Sequence, residues 1–552
     1  MRLVSSFAAV LLAGVALSAC ATTAAPDAAP AFDAARISED IRVLSDDSFE
    51  GRGIATPAEA KVIDYLSRQY AAAGFQPGGP NGQWTQDVIL NRFTQSNVHA
   101  SLKLGDWTLP LTQGREVALS TRRPAEHVSL KDAPLVFVGY GVNAPERQWN
   151  DFKGLDLRGK VLVVLVNDAD FEEPALNTFG GKAMTYYGRW TYKYEEAARQ
   201  GAAGVLIVHE TAPASYGWAT VANSWGVPQF DILRQNAAAE RVPMEGWIQR
   251  DVAVDLFRRA GQDFEALKAQ ARRRDFQPVA LAGASFSTEF DVATSQVTSH
   301  NVIARLPGTT HPDETVLYTA HWDHIGMGEP DATGDRIFNG AVDNASGTAG
   351  LLELARMFGR AARTERSVVM ISFTGEESGL LGSEYYAVNP VYPLAKTVGG
   401  FNMDSMNVYG RVTGLGVTGY GQSDFDERLA AAVQPQGRTL VPDHENAAGT
   451  YYRSDHFPLA KRGVPMAYAG SRGDFRDAPV AAREAARSEY GAKRYHQAAD
   501  EWSPDWDYRG MIEDLAAFYD VGRALANGRD WPQWKTGSEF APVRETTASQ
   551  RR

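Results

Sequence analysis

Apolar positions follow two different spacings along the second half of the chain. From about residue 295 onward, short apolar runs predict strands over residues 301–306, 315–320, 367–373 and 400–403. Apolar residues at helical spacing predict helices over residues 346–360, 382–388 and about 426–433. Because strands and helices alternate in this way, we expect a layered α/β domain built on a largely parallel sheet.

The region between about residues 91 and 290 differs in character from the segments on both sides of it. Strand-like apolar runs lie at 135–138, 161–166 and 205–208, and a helix is predicted over 193–200. We therefore interpret 91–290 as an inserted, β-rich domain with its flanking segments. The remaining predicted units are one domain formed by 36–90 and 291–530, and a C-terminal tail over 531–552.

The N-terminus resembles a bacterial lipoprotein signal. A basic start precedes an apolar run over residues 3–17, which is too short for a comfortable membrane span. The sequence Leu17-Ser18-Ala19-Cys20 resembles a lipobox, which implies a signal peptide over 1–19 and acylation of the Cys20 thiol. We therefore expect a lipid-anchored protein on the periplasmic side of a bacterial envelope, with secretion as the alternative. Residues 20–35 are rich in Ala, Thr and Pro and predict a flexible tether.

Composition and charge exclude several classes of protein. The chain has 552 residues, of which 44% are hydrophobic and 22% are charged, so a mainly disordered or fibrous chain is excluded. The formal net charge of −12 argues against a nucleic-acid partner, which would need clustered Lys and Arg. A single cysteine excludes a disulfide framework and a Cys-ligated zinc site. We expect membrane contact only through the lipid anchor.

Acidic residues and histidines fall where the predicted strands end. The positions are His321 with Asp323, Glu376 with Glu377, Asp404, Asp343 in a loop ahead of a helix, and His496 towards the chain's end. Because the carboxyl ends of parallel strands meet at one edge of a sheet, these acidic groups would gather there and repel one another. Two divalent cations would neutralise that edge, and zinc suits a mixture of His and carboxylate ligands.

Four motifs of the chain resemble those of one peptidase family. The secreted zinc aminopeptidases of metallopeptidase family twenty-eight have, in the same order and at similar spacing, the motifs Thr-Ala-His321-Trp-Asp323-His, Gly-Ala-Val-Asp343-Asn-Ala-Ser-Gly, Thr-Gly-Glu376-Glu377-Ser-Gly and Tyr495-His496. The resemblance implies the zinc exopeptidase fold, a layered α/β/α domain with a mixed, largely parallel sheet. It also implies that the inserted region is a protease-associated (PA) domain.

The resemblance assigns a metal-binding role to each matching position. Two Zn²⁺ ions are implied per chain. His321 and Asp404 would hold one ion, and Glu377 and His496 would hold the other. Asp343 would bridge the two ions.

Other matching positions are implied to act on the substrate. Glu376 would be the general base, and Tyr495 would donate a hydrogen bond to the developing oxyanion. Asp323 lies on the same side of an extended chain as His321, so its carboxylate would hydrogen-bond the second imidazole nitrogen. Arg453 belongs to a stretch that resembles the substrate site of the family, and we expect it to contact substrate.

The leading hypothesis is an exported zinc aminopeptidase that hydrolyses N-terminal residues from peptides with a metal-activated water. Two other enzymes use a similar scaffold, a glutamate-carboxypeptidase-like exopeptidase and a glutaminyl cyclase. A non-catalytic binding protein is a further alternative. It is less favoured because every metal-ligand position holds the residue type that the resemblance implies. His456 is a less favoured alternative to His496 as the last zinc ligand.

Overall fold

The structure is a computed structural model that describes residues 31–328, 330–443 and 446–551. The predicted signal peptide, Cys20 and most of the predicted tether lie outside these residues, so these expectations stay predictions. No helix among the described residues has both the length and the apolar character needed to cross a membrane.

The described residues form α-helices α1 to α15 and strands β1 to β20. The helices are Ala34–Leu44, Glu59–Ala72, Trp190–Arg199, Thr211–Ala214, Trp218–Trp225, Ala237–Glu240, Arg250–Arg259, Phe264–Gln270, Gly347–Arg360, Leu381–Val388, Phe425–Val433, His456–Lys461, Val480–Lys493, Arg509–Asn527 and Ala541–Glu545. The strands are Gln76–Pro77, Thr85–Leu104, Trp107–Leu111, Val117–Ser120, His127–Phe137, Asn143–Ala144, Trp149–Asn150, Val161–Leu165, Gly204–His209, Gln229–Ile232, Glu245–Gln249, Val279–Leu306, His311–His321, Gly326–Met327, Ile337–Phe338, Arg366–Phe373, Thr397–Asn402, Val412–Thr418, Thr439–Pro442 and Met466–Phe475.

One mixed sheet runs through the described part of the molecule. Its main strand order is β19-β18-β20-β17-β13-β16-β12-β5-β8-β9-β11-β4. Parallel pairs join β16 to β13, β13 to β17 and β17 to β20, and a second parallel group joins β5, β8, β9 and β11. Antiparallel pairs with β12 separate the two groups. The predicted mixed, largely parallel sheet is therefore confirmed.

Helices cover both faces of the parallel group that contains β13. Successive strand residues point to opposite faces, so Tyr318 packs in a core with α1, α2, α9 and α14. Leu317 packs in a second core with α10 and α12 on the other face. Because both faces are covered, these strands are continuous apolar runs rather than alternating ones. This arrangement is the layered α/β/α domain that the sequence predicts.

The predicted domain boundaries at residues 90/91 and 290/291 fall inside the two long strands β2 and β12. These strands pair with each other antiparallel, from Thr85 opposite Val302 to Leu104 opposite Ala284. The inserted region therefore continues the sheet of the flanking segments. Val163 and Val164 point to opposite faces of β8. The core around Val164 consists of residues of the inserted region, whereas the core around Val163 also contains Tyr451 and Phe457 of the flanking domain.

Both ends of the described chain are more ordered than the sequence suggests. Helix α1 begins at Ala34, inside the predicted tether, because the Asp33 carboxylate accepts hydrogen bonds from the Ala35 and Arg36 amides. The predicted C-terminal tail packs on the flanking domain, where Arg544 is 4% exposed and its guanidinium donates to the Thr397 carbonyl.

Candidate metal centre

Neighbouring parallel strands deliver the predicted site residues to one edge of the sheet. Strand β13 ends at His321, and β16 and β17 pair with it on either side. Glu376 and Glu377 follow the end of β16, and Asp404 follows the end of β17. The carboxyl ends of the three strands meet, which brings these side chains together.

The five predicted ligands form two groups that share Asp343. The His321 Nε2 atom lies 3.4 Å from Asp343 Oδ1 and 3.4 Å from Asp404 Oδ1. The His496 Nε2 atom lies 3.2 Å from Asp343 Oδ2 and 3.2 Å from Glu377 Oε2. The two oxygens of Asp343 therefore face different histidines, as a bridging carboxylate requires.

His324 is a further histidine at the centre, which sequence reasoning placed outside the ligand set. Its Nδ1 atom lies 2.6 Å from Glu377 Oε1, so it contacts the oxygen of Glu377 that does not face His496. Donor atoms of His324, Asp343 and Glu377 lie within 4.8 Å of one another. The one sequence feature that could have indicated a place for His324 at the centre is its position three residues after His321. We assign it to orienting Glu377, because His496 reaches both Asp343 and Glu377.

The predicted partner of His321 is replaced by a backbone atom. The His321 Nδ1 atom lies 3.1 Å from the Asp323 carbonyl oxygen, whereas the Asp323 carboxylate is 3.8 Å away. The carboxylate instead accepts a hydrogen bond from the Glu376 amide at 3.1 Å. The predicted carboxylate–imidazole hydrogen bond is therefore wrong, because the Asp323 carbonyl oxygen occupies the position next to His321 Nδ1 and the carboxylate is engaged by the Glu376 amide. A donating Nδ1–H still leaves Nε2 free for a metal.

A chain of hydrogen bonds holds Asp404 in place. The Ser454 hydroxyl donates to Asp404 Oδ2 at 2.6 Å, and the Asn402 amide donates to the Ser454 oxygen at 2.8 Å. The Thr319 hydroxyl in turn donates to Asn402 Oδ1 at 2.7 Å. No spacing in the sequence indicates this series of hydrogen bonds, since its residues come from three separate parts of the fold.

Asp500 and Arg52 hold the loops that carry Asp343 and His321. The Asp500 carboxylate accepts hydrogen bonds from the Val342 amide at 3.0 Å and the Asp343 amide at 3.1 Å. The buried Arg52 guanidinium donates to the carbonyls of Trp322 and Gly340 at 2.8 and 2.7 Å. Sequence reasoning missed both residues, which lie far along the chain from the loops that they hold.

Glu376 lies beside the two groups without joining either one. Its Oε2 atom is 4.0 Å from His321 Nε2, and its side chain is largely buried. Burial, together with the charges of Asp404 and Glu377, raises the pKa of Glu376 well above its usual range. A carboxylate that lies beside the ligands without joining either group is positioned to accept a proton, as general-base chemistry requires.

The remaining predicted residues divide between the centre and its surroundings. The Tyr495 ring stacks on His496 with 3.9 Å between the ring centroids, and the side chain is half-exposed. Arg453 lines the cavity that also contains Glu376, Glu377 and His496. His456 is buried against Tyr451 and Tyr468, and it forms no ion pair with an acid of the centre in the described residues.

The donor set fits zinc. Within residues 31–328, 330–443 and 446–551, the carboxylates of Asp343, Glu376, Glu377 and Asp404 make no ion pair with Lys or Arg. Buried carboxylates without a cation are unfavourable, and the ion-pair partners of these four within the described residues are all imidazoles. Imidazole nitrogens and carboxylate oxygens are ligands that zinc binds in proteins.

Residues 301–519 match the model of Peptidase family M28. The matched segment contains every metal ligand and catalytic residue predicted from the sequence, and it lies entirely outside the inserted region 91–290. The chain therefore has homologues among the peptidases of this family, which confirms the predicted relationship at that level.

Curated relatives resemble part of the chain. Leupeptin-inactivating enzyme 1 of Streptomyces exfoliatus is 30% identical over 205 residues, which cover 36% of this chain and 42% of that protein. Aminopeptidase YwaD of Bacillus subtilis is 29% identical over 181 residues, which cover 32% of this chain and 36% of that protein. The chain thus matches less than half the length of these two relatives.

Solved structures resemble a larger share of it. An aminopeptidase from Aneurinibacillus sp. strain AM-1 covers 90% of this chain and 94% of its own, with a TM-score of 0.48 and 22% identity.

Proposed function

We propose that this protein is a zinc-dependent aminopeptidase that hydrolyses N-terminal residues from peptides. The observation that carries the proposal is the position of Asp343 between His321 and His496, with Glu376 beside them. The match of residues 301–519 to Peptidase family M28 and the names of the relatives support the same activity.

The proposed chemistry divides the work among residues of the centre. His321 and Asp404 would hold one zinc ion, Glu377 and His496 a second, and Asp343 both. Bound zinc would polarise the scissile carbonyl and lower the pKa of a bound water.

The other groups of the centre act on protons and on charge. Glu376 accepts a proton from the attacking water and returns it to the leaving amine. Tyr495 donates a hydrogen bond to the substrate oxygen as negative charge develops on it. Asp323 positions Glu376 by accepting a hydrogen bond from its amide.

The charge around the centre favours a substrate with a free amine. Glu376, Asp343 and Asp404 present carboxylates that can receive a terminal ammonium group. The test compares one peptide in three forms: free at both ends, N-acetylated, and C-terminally amidated. Loss of hydrolysis on acetylation with tolerance of amidation is expected. The reverse pattern would make the protein a carboxypeptidase.

The proposed metal content is two zinc ions per chain. Metal analysis of the purified protein should find close to two equivalents, and Asp343→Ala should lower both because Asp343 faces both groups. One tightly held zinc ion together with cyclisation of N-terminal glutamine would favour a glutaminyl cyclase instead.

The proposed location is the bacterial envelope, through a lipid on Cys20. The basic start, the short apolar run and the lipobox-like sequence support this proposal. The variant Cys20→Ala should lose acylation and membrane association, whereas a variant that stays acylated would contradict it. The inserted region is proposed as a PA domain on its sequence resemblance alone.

A further inference from the structure

A cavity of about 290 Å³ adjoins the candidate metal centre. Glu376, Glu377 and His496 line it together with residues of the inserted region. A cavity of this size holds one or two side chains of a peptide. Its walls therefore bear on which peptides reach the centre.

Most cations that line this cavity already have an acidic partner. Arg234 and Arg241 contact Asp231 at 2.9 and 2.7 Å. Lys461 contacts Glu195 at 2.7 Å, and Arg122 lies 3.6 Å from Glu245. These charges balance one another within the protein.

Arg189 lines the same cavity without such a partner. It is 8% exposed, its Nε atom has no hydrogen-bond partner, and no carboxylate of the described chain lies within 4 Å of its guanidinium. Burial and the neighbouring charge of Arg453 lower the pKa of Arg189 to about 10. The protein therefore buries a guanidinium whose charge no side chain nearby offsets.

Arg453 is a second guanidinium of this kind, next to the first. Its Nη2 atom donates to the Ser215 hydroxyl at 3.0 Å, and its buried Nε atom has no partner. Among the described residues, it forms no ion pair with an acid either. Two adjacent guanidiniums, of which Arg189 is buried and Arg453 is half-buried, repel each other unless an anion lies between them.

The start of helix α3 adds partial positive charge to the same place. Arg189 immediately precedes α3, and no side chain caps the helix at this end. The first turn has no acidic residue, and Trp190 and Thr191 line the cavity. The first amides of a ten-residue helix favour an anion in front of them.

We propose that Arg189 and Arg453 form a carboxylate-binding subsite, and that preferred substrates carry a carboxylate that lies against it. Such a carboxylate has two sources, an acidic N-terminal side chain or the C-terminus of a very short peptide. A guanidinium fork matches a carboxylate in shape and charge. This inference rests on the proposed peptidase function and names its substrate class.

The test measures kcat/KM for two matched pairs of substrates. The first pair is glutamyl and glutaminyl coumarin amide, which differ in one charge and have no C-terminal carboxylate. The second pair is Leu-Gly and Leu-Gly amide. We expect the carboxylate form to be preferred about 10- to 100-fold in one pair, and that pair identifies the source.

Four variants test whether Arg189 and Arg453 cause this preference. Arg189→Gln and Arg453→Gln should each reduce it about tenfold or more, and Arg189→Lys should restore part of it because the charge remains. Lys461→Met is the control. It removes a cation of the same cavity that already pairs with Glu195, so the ratio of the two kcat/KM values within each substrate pair should not change. If Arg189→Gln fails to fold, Arg453→Gln and Arg189→Lys decide the outcome.

A binding measurement separates this inference from the proposed function. Calorimetry compares free glutamate with glutamine for the side-chain source, and glycine with glycinamide for the C-terminal source. The carboxylate form should bind more tightly in one of these comparisons, and Arg453→Gln should lose that difference. If no peptide is hydrolysed but this binding is found, the proposed function fails and the subsite stands. Equal kcat/KM in both pairs with equal binding in both comparisons overturns the subsite, as does a preference that survives both Gln variants.

Discussion

Two parallel groups of strands in the same sheet end in acidic residues, but those acids have different partners. In the inserted region, Asp168 follows β8 and accepts hydrogen bonds from the Thr185 amide and hydroxyl at 2.9 and 3.1 Å. Glu210 follows β9 and contacts Lys268 Nζ at 2.8 Å. At the candidate metal centre, Asp343 and Glu377 face imidazoles.

The comparison separates a structural use of strand-end acids from a metal-binding use. An acid at a strand end is ordinary where an amide or a cation of the protein satisfies it. It indicates a metal where several acids share one buried space and the nearby protein groups are histidines. The missing Lys or Arg is therefore more informative than the acid itself.

The largest expected effect comes from two adjacent residues at the centre. Glu376→Gln should lower kcat about 10²- to 10⁴-fold with zinc content nearly unchanged, because glutamine cannot accept the proton. The same substitution at Glu377 should instead lower zinc content, since Glu377 faces His496. Steady-state kinetics and metal analysis of both variants check this. A zinc-replete Glu376→Gln enzyme with unchanged kcat would assign the general base to another group.

Lys268→Met tests the acid of the inserted region. It leaves Glu210 and Glu172 without the Nζ that contacts them at 2.8 and 2.7 Å. We expect the free energy of unfolding to fall by about 2 kcal/mol, measured by urea unfolding, since Arg250 still pairs with Glu210. Adding Glu210→Gln should recover part of the loss because it removes a carboxylate whose remaining cation, Arg250, lies 3.4 Å away. Zinc content should stay the same. An extra zinc equivalent in Lys268→Met would contradict the structural role of the acids in the inserted region.

Ser454→Ala tests the hydrogen-bond chain behind Asp404. Removing the hydroxyl that donates to Asp404 Oδ2 should weaken zinc affinity about tenfold, because an unrestrained ligand binds less well. Zinc competition with a chelator measures the change. Ser405→Ala is the matched control, since Ser405 contacts Asp404 only at 3.3 Å and should change affinity less. Equal changes in zinc affinity in the two variants would show that the hydrogen bond from Ser454 does not matter for zinc binding.

His300 and Glu59 form an acid–cation pair that pH can switch. His300 Nδ1 lies 2.7 Å from Glu59 Oε1, and this hydrogen bond raises the pKa of His300. The pair therefore stabilises the fold below the unfolded-state pKa of about 6.5, and this stability is lost as pH rises through the folded-state pKa. We expect the pair to contribute less than about 1 kcal/mol to the free energy of unfolding. Urea unfolding of the protein and of His300→Gln at two pH values measures this contribution. A pH-independent difference would contradict this prediction.

The sequence by itself determined the layered fold around the centre and most of its chemistry. Continuous apolar runs fixed the strands β13, β16 and β17, because a strand covered on both faces must be apolar throughout. The residues directly after those strands then had to meet at one edge. For this reason His321, Glu376 and Asp404 could be placed together without coordinates.

Only the tertiary structure decided which distant residues complete the centre. Asp500 accepts amides of the Asp343 loop, and Ser454 holds Asp404, across separations that no local spacing encodes. Arg189 and Arg453 lie far apart in the sequence, one in the inserted region and the other in the flanking region. A sequence pattern reports periodicity within one element, whereas a pairing between elements depends on how β2 and β12 join the two regions. Whether an acidic residue lies near Arg189 and Arg453 likewise depends on which elements the fold packs around them.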